Sequence, residues 1–203
     1  AGLSGQSAPR ACLLRIVLPM KEPTNAAAAK QLCTDCGFCC SGVLFIDVRI
    51  EDKQDLDRVV NCGVELEQHD NQNFLIQPCH CLDERSHCKI YDKRPNMCAS
   101  FECGVLKHLK TGDWSFSKCK KTVQEAQVHV SSLTNTLLKL GNLDVGVPLF
   151  LRTEEVLSQP WDLDGPDSVL ELRDQLFQQS ADLSSFLETH FLSEEEAQER
   201  EES

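Results

Sequence analysis

The chain has 203 residues and a formal net charge of −12, with 41% apolar and 26% charged residues. A globular chain of this length buries roughly 70% of its unfolded surface, so it does not need metal merely to have a core. The acidity excludes a nucleic-acid backbone or an anionic membrane surface as partner, because both demand clustered Lys and Arg.

Residues 1–29 carry Gly, Ser, Pro and Ala without a period and read as a flexible segment, with Met20 as an alternative start. Within it, Ala11 to Pro19 falls short of the roughly 18 apolar residues of a membrane span. Arg15 also breaks it as a signal-peptide core. A short helix beginning over Ala26 to Lys30 delivers Cys33, and Gly37 supplies the permissive backbone that a ligand-bearing turn needs. Val43 to Val48 is a strand by its β-branched and aromatic content. Glu51 to Val60 reads as a helix with Leu56, Val59 and Val60 inward, ending near Gly63. Phe74-Leu75-Ile76 is a second short strand, and Gln77-Pro78 leads into Cys79.

Residues 79–119 are loop-rich and lack long apolar runs, so cross-linking by metal would supply their order. Pro95 opens a short helix carrying Met97, Cys98 and Phe101. Thr122 and Glu125 form a capping-box signature ahead of a helix to about Leu140. Val123, Ala126, Val130, Leu133, Leu137 and Leu140 recur there at helical spacing, and Gly141-Asn142 stops it. A connection at Val147-Pro148, a short helix from Thr153 and a turn from Trp161 to Pro166 follow. Two last helices, Asp167 to Gln179 and Ala181 to Leu192, turn Leu170, Leu172, Leu176, Leu183, Phe186 and Leu187 inward. Residues 194–203 form an acidic, solvated tail. The fold class is α+β: a small cysteine-rich, metal-organised domain with short strands over residues 30–120, then a mostly helical region over 121–193 that packs on it.

Eleven of the twelve cysteines lie between positions 33 and 119. Cys33, Cys36, Cys39 and Cys40 form a CxxCxxCC cluster, and two-residue spacing lets a tight turn aim two thiolates at one ion. One tetrahedral ion takes four ligands, and adjacent Cys39 and Cys40 point differently. The arrangement is therefore two sites or one polynuclear centre, with the vicinal pair divided or bridging, and Cys79, Cys88, Cys98 and Cys103 supplying the remaining ligands. Thiolates suit zinc and iron-sulfur centres alike. CxxC spacing in a chain of this size favours metal-bound thiolates in a reducing cytoplasm over an oxidised, extracellular disulfide scaffold. Cys62, Cys81 and Cys119 read as buried or free thiols. His80 and His87 read as exposed neighbours of motif cysteines, and Asp35, Asp83 and Asp92 as solvated or turn-forming. Tyr91 packs under the cluster in this reading, while Arg94 offsets its negative charge.

The run Cys33-x-x-Cys36-Gly37-x-Cys39-Cys40, then Pro78-Cys79-x-x-Leu82, then Cys88-x-Ile90-Tyr91-x-x-Arg94-Pro95-x-x-Cys98-x-x-Phe101-x-Cys103, resembles the YkgJ-type CxxCxxCC family. The resemblance covers residues 33–103. That family is described as a zinc- or iron-chelating domain with eight motif cysteines, and all eight have a counterpart here in order. One departure is Ala99, which stands where the family often carries arginine. The resemblance implies a protein that binds zinc or an iron-sulfur centre through Cys33, Cys36, Cys39, Cys40, Cys79, Cys88, Cys98 and Cys103. Its role would be metal handling or structural, with the C-terminal helices packing on the centre or presenting a surface to a protein partner. A more distant resemblance to the flagellin lysine methylases implies the alternative, an iron-sulfur enzyme of protein-modifying methyl transfer or electron transfer. The chain has no glycine-rich nucleotide loop and no Ser-His-Asp arrangement to support a named reaction.

Overall fold

The computed structural model describes residues 25–61, 63–64, 66–85, 87–162 and 165–193. Cys12, Met20, Cys62 and the acidic tail lie outside the described residues.

Helix α1 spans Asn25–Cys36. Its run of alanines favours helix throughout, so the helix continues past Lys30 and carries Cys33 and Cys36 on its last turn. Three residues apart, the two thiols share one face. Gly37, at φ +69°, ends the helix in the left-handed region that suits glycine. The chain then folds back, with the Cys40 and Ser41 amides both donating to the Gly37 carbonyl at 3.0 and 2.9 Å. The Val43 and Leu44 amides donate to the Phe38 carbonyl at 3.3 and 3.2 Å. These two residues therefore close the thiol-bearing turn and bury their side chains. The strand expected from Val43 accordingly starts later, as β1 over Asp47–Ile50.

Helix α2 spans Lys53–Asn61. Val59 is fully buried, but Val60 is 54% exposed, against the expectation that both face inward. The helical phase instead turns Asp55 to the interior, where it is 3% exposed. Strand β2, Glu67–His69, was not anticipated, because its three residues are polar and exposed and give no alternation to read. It joins β3, Gln72–Ile76, through Asp70 and Asn71, both at positive φ as a tight hairpin turn requires. The antiparallel sheet has the order β1-β3-β2, with Val48 opposite Leu75.

Beyond β3, Leu82 pairs with Cys88 in an isolated bridge, and Tyr91–Lys93 forms a single 3-10 turn. Helix α3, Asn96–Ser100, follows Pro95 as expected. The region is less loop-rich than its sequence suggests, since α4, Gly104–Thr111, buries Val105, Leu106 and Leu109. Helix α5, Phe116–Lys139, starts earlier than expected. Ser115 caps it by accepting from the Lys118 amide at 3.2 Å, so the Thr122–Glu125 capping box is not used. Thr122 lies inside the helix, its hydroxyl donating to the Lys118 carbonyl. Helix α6 spans Leu149–Ser158 and likewise begins before Thr153. The two last helices expected are one, α7, Asp167–His190. Nothing at Ser180-Ala181 breaks a helix, and Leu176, Leu183 and Leu187 form one continuous buried stripe.

The fold is α+β, with two hydrophobic cores among the described residues. The larger joins Leu32, Phe38 and Leu44 to α4–α7 through Val123, Leu137, Leu176 and Phe191. The smaller lies under the sheet and α2, from Ile50, Val59, Val64, Leu75, Cys79 and Cys81. The end of α7 is seated on the start of α4: the Gly104 amide donates to the Phe191 carbonyl at 2.9 Å. A Cβ on Gly104 would lie 2.6 Å from the His190 carbonyl oxygen, so glycine permits this contact. Among the described residues, no helix is long and apolar enough to cross a membrane.

Candidate metal centre

Six stretches of chain deliver thiols to one place. Cys33 and Cys36 come from α1, and Cys39 and Cys40 from the turn after it. Cys79 follows β3, Cys88 sits on the bridge with Leu82, Cys98 on α3, and Cys103 at the N-cap of α4. All eight, with Cys81, line a single cavity of about 320 Å³. Sequence reasoning had set Cys81 aside as a buried or free thiol; it is buried, and it faces this cavity. None of the ten described cysteines is disulfide-bonded.

The thiols divide into two groups. The thiols acting electrostatically on Cys39 are chiefly Cys103 and Cys36, then Cys40 and Cys33. Those acting on Cys36 are Cys103 and Cys33, with Cys40 last. Its neighbour Cys40 instead feels Cys79, Cys88 and Cys98, and Cys98 feels Cys79 and Cys88. The packing divides them the same way. Cys33, Cys36, Cys39 and Cys103 pack against the larger core, whereas Cys40 and Cys79 belong to the smaller one.

Burial pushes the Cys36, Cys39 and Cys40 thiols well above the ordinary thiol range, reinforced by their like neighbours. Burial likewise pushes Cys98 up to about 11. These cysteines nonetheless keep part of their surface accessible. The two observations agree if that surface faces the cavity they line rather than open solvent. Among the described residues, no three Cys, His, Asp or Glu side chains are gathered as tightly as ligands on one ion. The thiols stand around a cavity. Each has one side-chain torsion, so a rotamer change re-aims its sulfur without moving the backbone.

Supporting groups tie the two halves of the motif together. The Cys79 amide donates to the Cys40 carbonyl at 2.8 Å, and the Cys81 amide donates to the Cys79 sulfur at 3.4 Å. On α2, the buried Asp55 carboxylate accepts from the Asn96 amide at 2.6 Å, capping α3 and fixing Cys98. Arg58 holds the other oxygen of Asp55 at 2.8 Å. Sequence reasoning missed Asp55, because a charged residue on an amphipathic helix carries no sign that it faces inward. It also missed Gln77, which is 2% exposed, lines the cavity and leaves its Oε1 without a partner among the described residues.

Arg94 lies with its guanidinium carbon 3.7 Å from the centre of the Tyr91 ring. Its charge acts on Cys40 and Cys98, drawing both thiols downward against burial. Burial raises the Tyr91 phenol well above the ordinary value, with the nearby Cys33 thiol adding to the rise and the Arg94 charge opposing it. The Arg94 Nε–H is buried without a partner among the described residues.

The other residues singled out lie elsewhere. His80 is exposed. His87 lines a separate hollow of about 260 Å³ beside Asp35 and Lys120, with its ring 3.8 Å from Asp83. Asp83 accepts from the Arg85 and His87 amides, which makes it a turn-former. Asp92 pairs with Lys30 at 2.5 Å. Cys119 is fully buried in the larger core, its thiol donating to the Val105 carbonyl at 3.7 Å.

A donor set of the eight motif thiols suits zinc or iron and is poorly matched to calcium or magnesium. The orphaned Arg94 Nε–H fits such a centre, since thiolate sulfur would give it the acceptor it lacks. No curated protein and no solved structure matches the chain. Residues 32–122 match the model of the CxxCxxCC family, described as "Putative zinc- or iron-chelating domain".

Proposed function

We propose that the chain binds two metal ions, zinc or iron, each held by four cysteine thiolates. Cys33, Cys36, Cys39 and Cys103 hold one; Cys40, Cys79, Cys88 and Cys98 hold the other. The observation that carries this reading is the opposite company kept by consecutive residues, Cys39 with Cys36 and Cys103, Cys40 with Cys79, Cys88 and Cys98. Division of the vicinal pair answers the difficulty that adjacent thiolates rarely serve one tetrahedral ion.

The role is structural. Each ion would cross-link segments that belong to one core, and the Cys39–Cys40 peptide would join the two sites where the cores meet. Bound metal adds its binding free energy to the stability of the folded state. Arg94, close to Cys40 and Cys98, offsets part of the negative charge that four thiolates leave on a divalent ion. Thiols outside any disulfide among the described residues, and a donor set of thiolates, suit a reducing, cytoplasmic setting.

The size of the shared cavity favours a second reading. A space of about 320 Å³ exceeds the needs of a single ion and leaves room for an iron-sulfur cluster, as the alternative of an iron-sulfur enzyme requires. Anaerobic purification followed by elemental analysis and an absorption spectrum separates the two. Two zinc or two iron per chain without acid-labile sulfide supports paired thiolate sites. Iron with stoichiometric sulfide and a broad band near about 400 nm supports the cluster.

A further inference from the structure

Cys79 and Cys81 are held together by a tight turn. The Leu82 amide donates to the Cys79 carbonyl at 3.0 Å, closing a four-residue turn with His80 and Cys81 in its middle. Consecutive Cα atoms lie about 3.8 Å apart, so a turn brings residues two apart within the about 4.4–6.8 Å that a disulfide spans. The Cys79 sulfur is folded over its neighbour, 3.4 Å from the Cys81 amide nitrogen that donates to it. Both backbones are anchored: the Cys79 amide donates to the Cys40 carbonyl and the Lys89 amide to the Cys81 carbonyl, each at 2.8 Å. His80 between them is exposed, whereas both thiols are buried and line the thiol cavity. A change of side-chain rotamer is enough to set one sulfur against the other. Eight cysteines of this cavity are ligands in the two four-thiolate sites. Among the described residues, Cys81 is the one cavity-lining cysteine outside that set.

Resting on that two-site reading, we propose that Cys79 and Cys81 form a redox modification site that takes a small hydroperoxide and, once oxidised, gives up the ion of the second site. The Cys79 thiolate attacks the peroxide. An S–O bond forms, the O–O bond breaks, and the departing oxygen takes a proton from solvent, leaving a sulfenic acid at Cys79. The Cys81 sulfur then attacks the Cys79 sulfur. An S–S bond forms, the S–O bond breaks, and the oxygen leaves as water with the Cys81 thiol proton. Two electrons pass from the two sulfurs to the peroxide. With Cys79 in a disulfide, the second site keeps only Cys40, Cys88 and Cys98 and loses its ion. The first site uses neither sulfur and keeps its own. A thiol reductant restores both thiols by exchange.

The test starts from the zinc-loaded full chain, purified without oxygen and then exposed to hydrogen peroxide. A chromogenic chelator reads released zinc, and alkylation followed by peptide mass spectrometry maps the disulfide. The expected result is release of one ion per chain in step with a Cys79–Cys81 disulfide, and rebinding after dithiothreitol and added zinc. Cys81→Ala keeps all eight ligands and leaves a small apolar side chain in the core, so it should hold two ions before oxidation. It should then form no such disulfide, and a sulfenic-acid probe should label Cys79 at least about fivefold more than in the wild type. Cys81→Ser, closer to cysteine in size, is the second variant and should behave alike. Zinc release with Cys79 and Cys81 still reduced, or a disulfide confined to other cysteines, overturns the proposal while two ions per chain still stand before oxidation. Equal Cys79 labelling in the wild type and both variants overturns it in the same way. Fewer than two ions in the untreated wild type overturns the two-site reading and the proposal with it. Fewer ions in both untreated variants than in the untreated wild type makes Cys81 a ligand, which overturns both as well.

Discussion

Cys39 and Cys40 are joined by one peptide bond, yet Cys39 packs against the larger helical core and Cys40 against the smaller core under the sheet. Their electrostatic neighbours differ in the same way. The turn that begins at Gly37 makes this possible, because it reverses the chain between α1 and the segment reaching β1. In the proposed two-site reading this vicinal pair is the hinge point between the sites, and it explains how eight thiols facing one cavity would serve two ions.

Single thiol removals should act unequally. Cys36→Ser and Cys88→Ser should each retain about one ion per chain at saturating zinc, because each spares four thiolates of the other group. Cys36 packs on the core that unites α1 with α5 and α7, so its loss should lower the melting temperature more than the loss of Cys88. Metal content by elemental analysis, with circular dichroism melts, checks both statements. Retention of two ions in either variant would refute the ligand assignment.

Stability should respond to pH with opposite slopes in the metal-free and metal-loaded forms. In the metal-free fold, burial raises the thiols, so the folded state binds protons more tightly than the unfolded chain. Their contribution is fully present below the unfolded thiol value of about 8.5 and is lost as pH rises toward the folded values. For Cys98 that folded value is about 11. With metal bound, each ligand must be deprotonated, so protons compete with the ion and stability falls on acidification. Urea midpoints measured across pH, with and without chelator, read the two slopes. Parallel slopes would contradict the account.

Gly104→Ala should destabilise by about 1–3 kcal/mol, since the new methyl would press on backbone that cannot swing aside. The carbonyl of His190 lies 2.6 Å from the position of that Cβ. The neighbouring Cys103 opens α4, so the variant should also release metal faster to a competing chelator. A melting temperature equal to the wild type's would show that α7 does not hold α4 in the way described.

Asp55→Ala removes the carboxylate that caps α3 and pairs with Arg58. Loss of a helix cap costs about 1–2 kcal/mol. The effect on metal should be confined to the group containing Cys98. Release of one ion per chain to a chromogenic chelator should accelerate while the other keeps its rate. Uniform acceleration of both would place Asp55 in a general folding role.

Much of the thiol centre was legible in the sequence because its signal is chemical: Cys33, Cys36, Cys39 and Cys40 at fixed spacing, and Cys79, Cys88, Cys98 and Cys103 around Tyr91 and Arg94-Pro95. The α+β class and α3 after Pro95 could be read for similar reasons. Other elements failed where local pattern and tertiary context disagree. Val43 and Leu44 look like a strand but close a turn, because their amides are drawn to Phe38. Gly104–Thr111 looks like loop beside so many cysteines, but Val105, Leu106 and Leu109 give it a buried face. Ser115 takes the capping role that Thr122 seemed suited to by spacing. Asp55 was beyond reach, since its value lies in a partner 41 positions away, the Asn96 amide.

The most direct test of the two-site account is X-ray absorption at the metal edge of the anaerobically purified chain, combined with its metal-to-protein ratio. The account predicts about two ions per chain, each with a first shell of four sulfurs at about 2.3 Å and no nitrogen or oxygen contribution. One ion per chain, a mixed nitrogen and sulfur shell, or a metal–metal distance typical of an iron-sulfur cluster would contradict it.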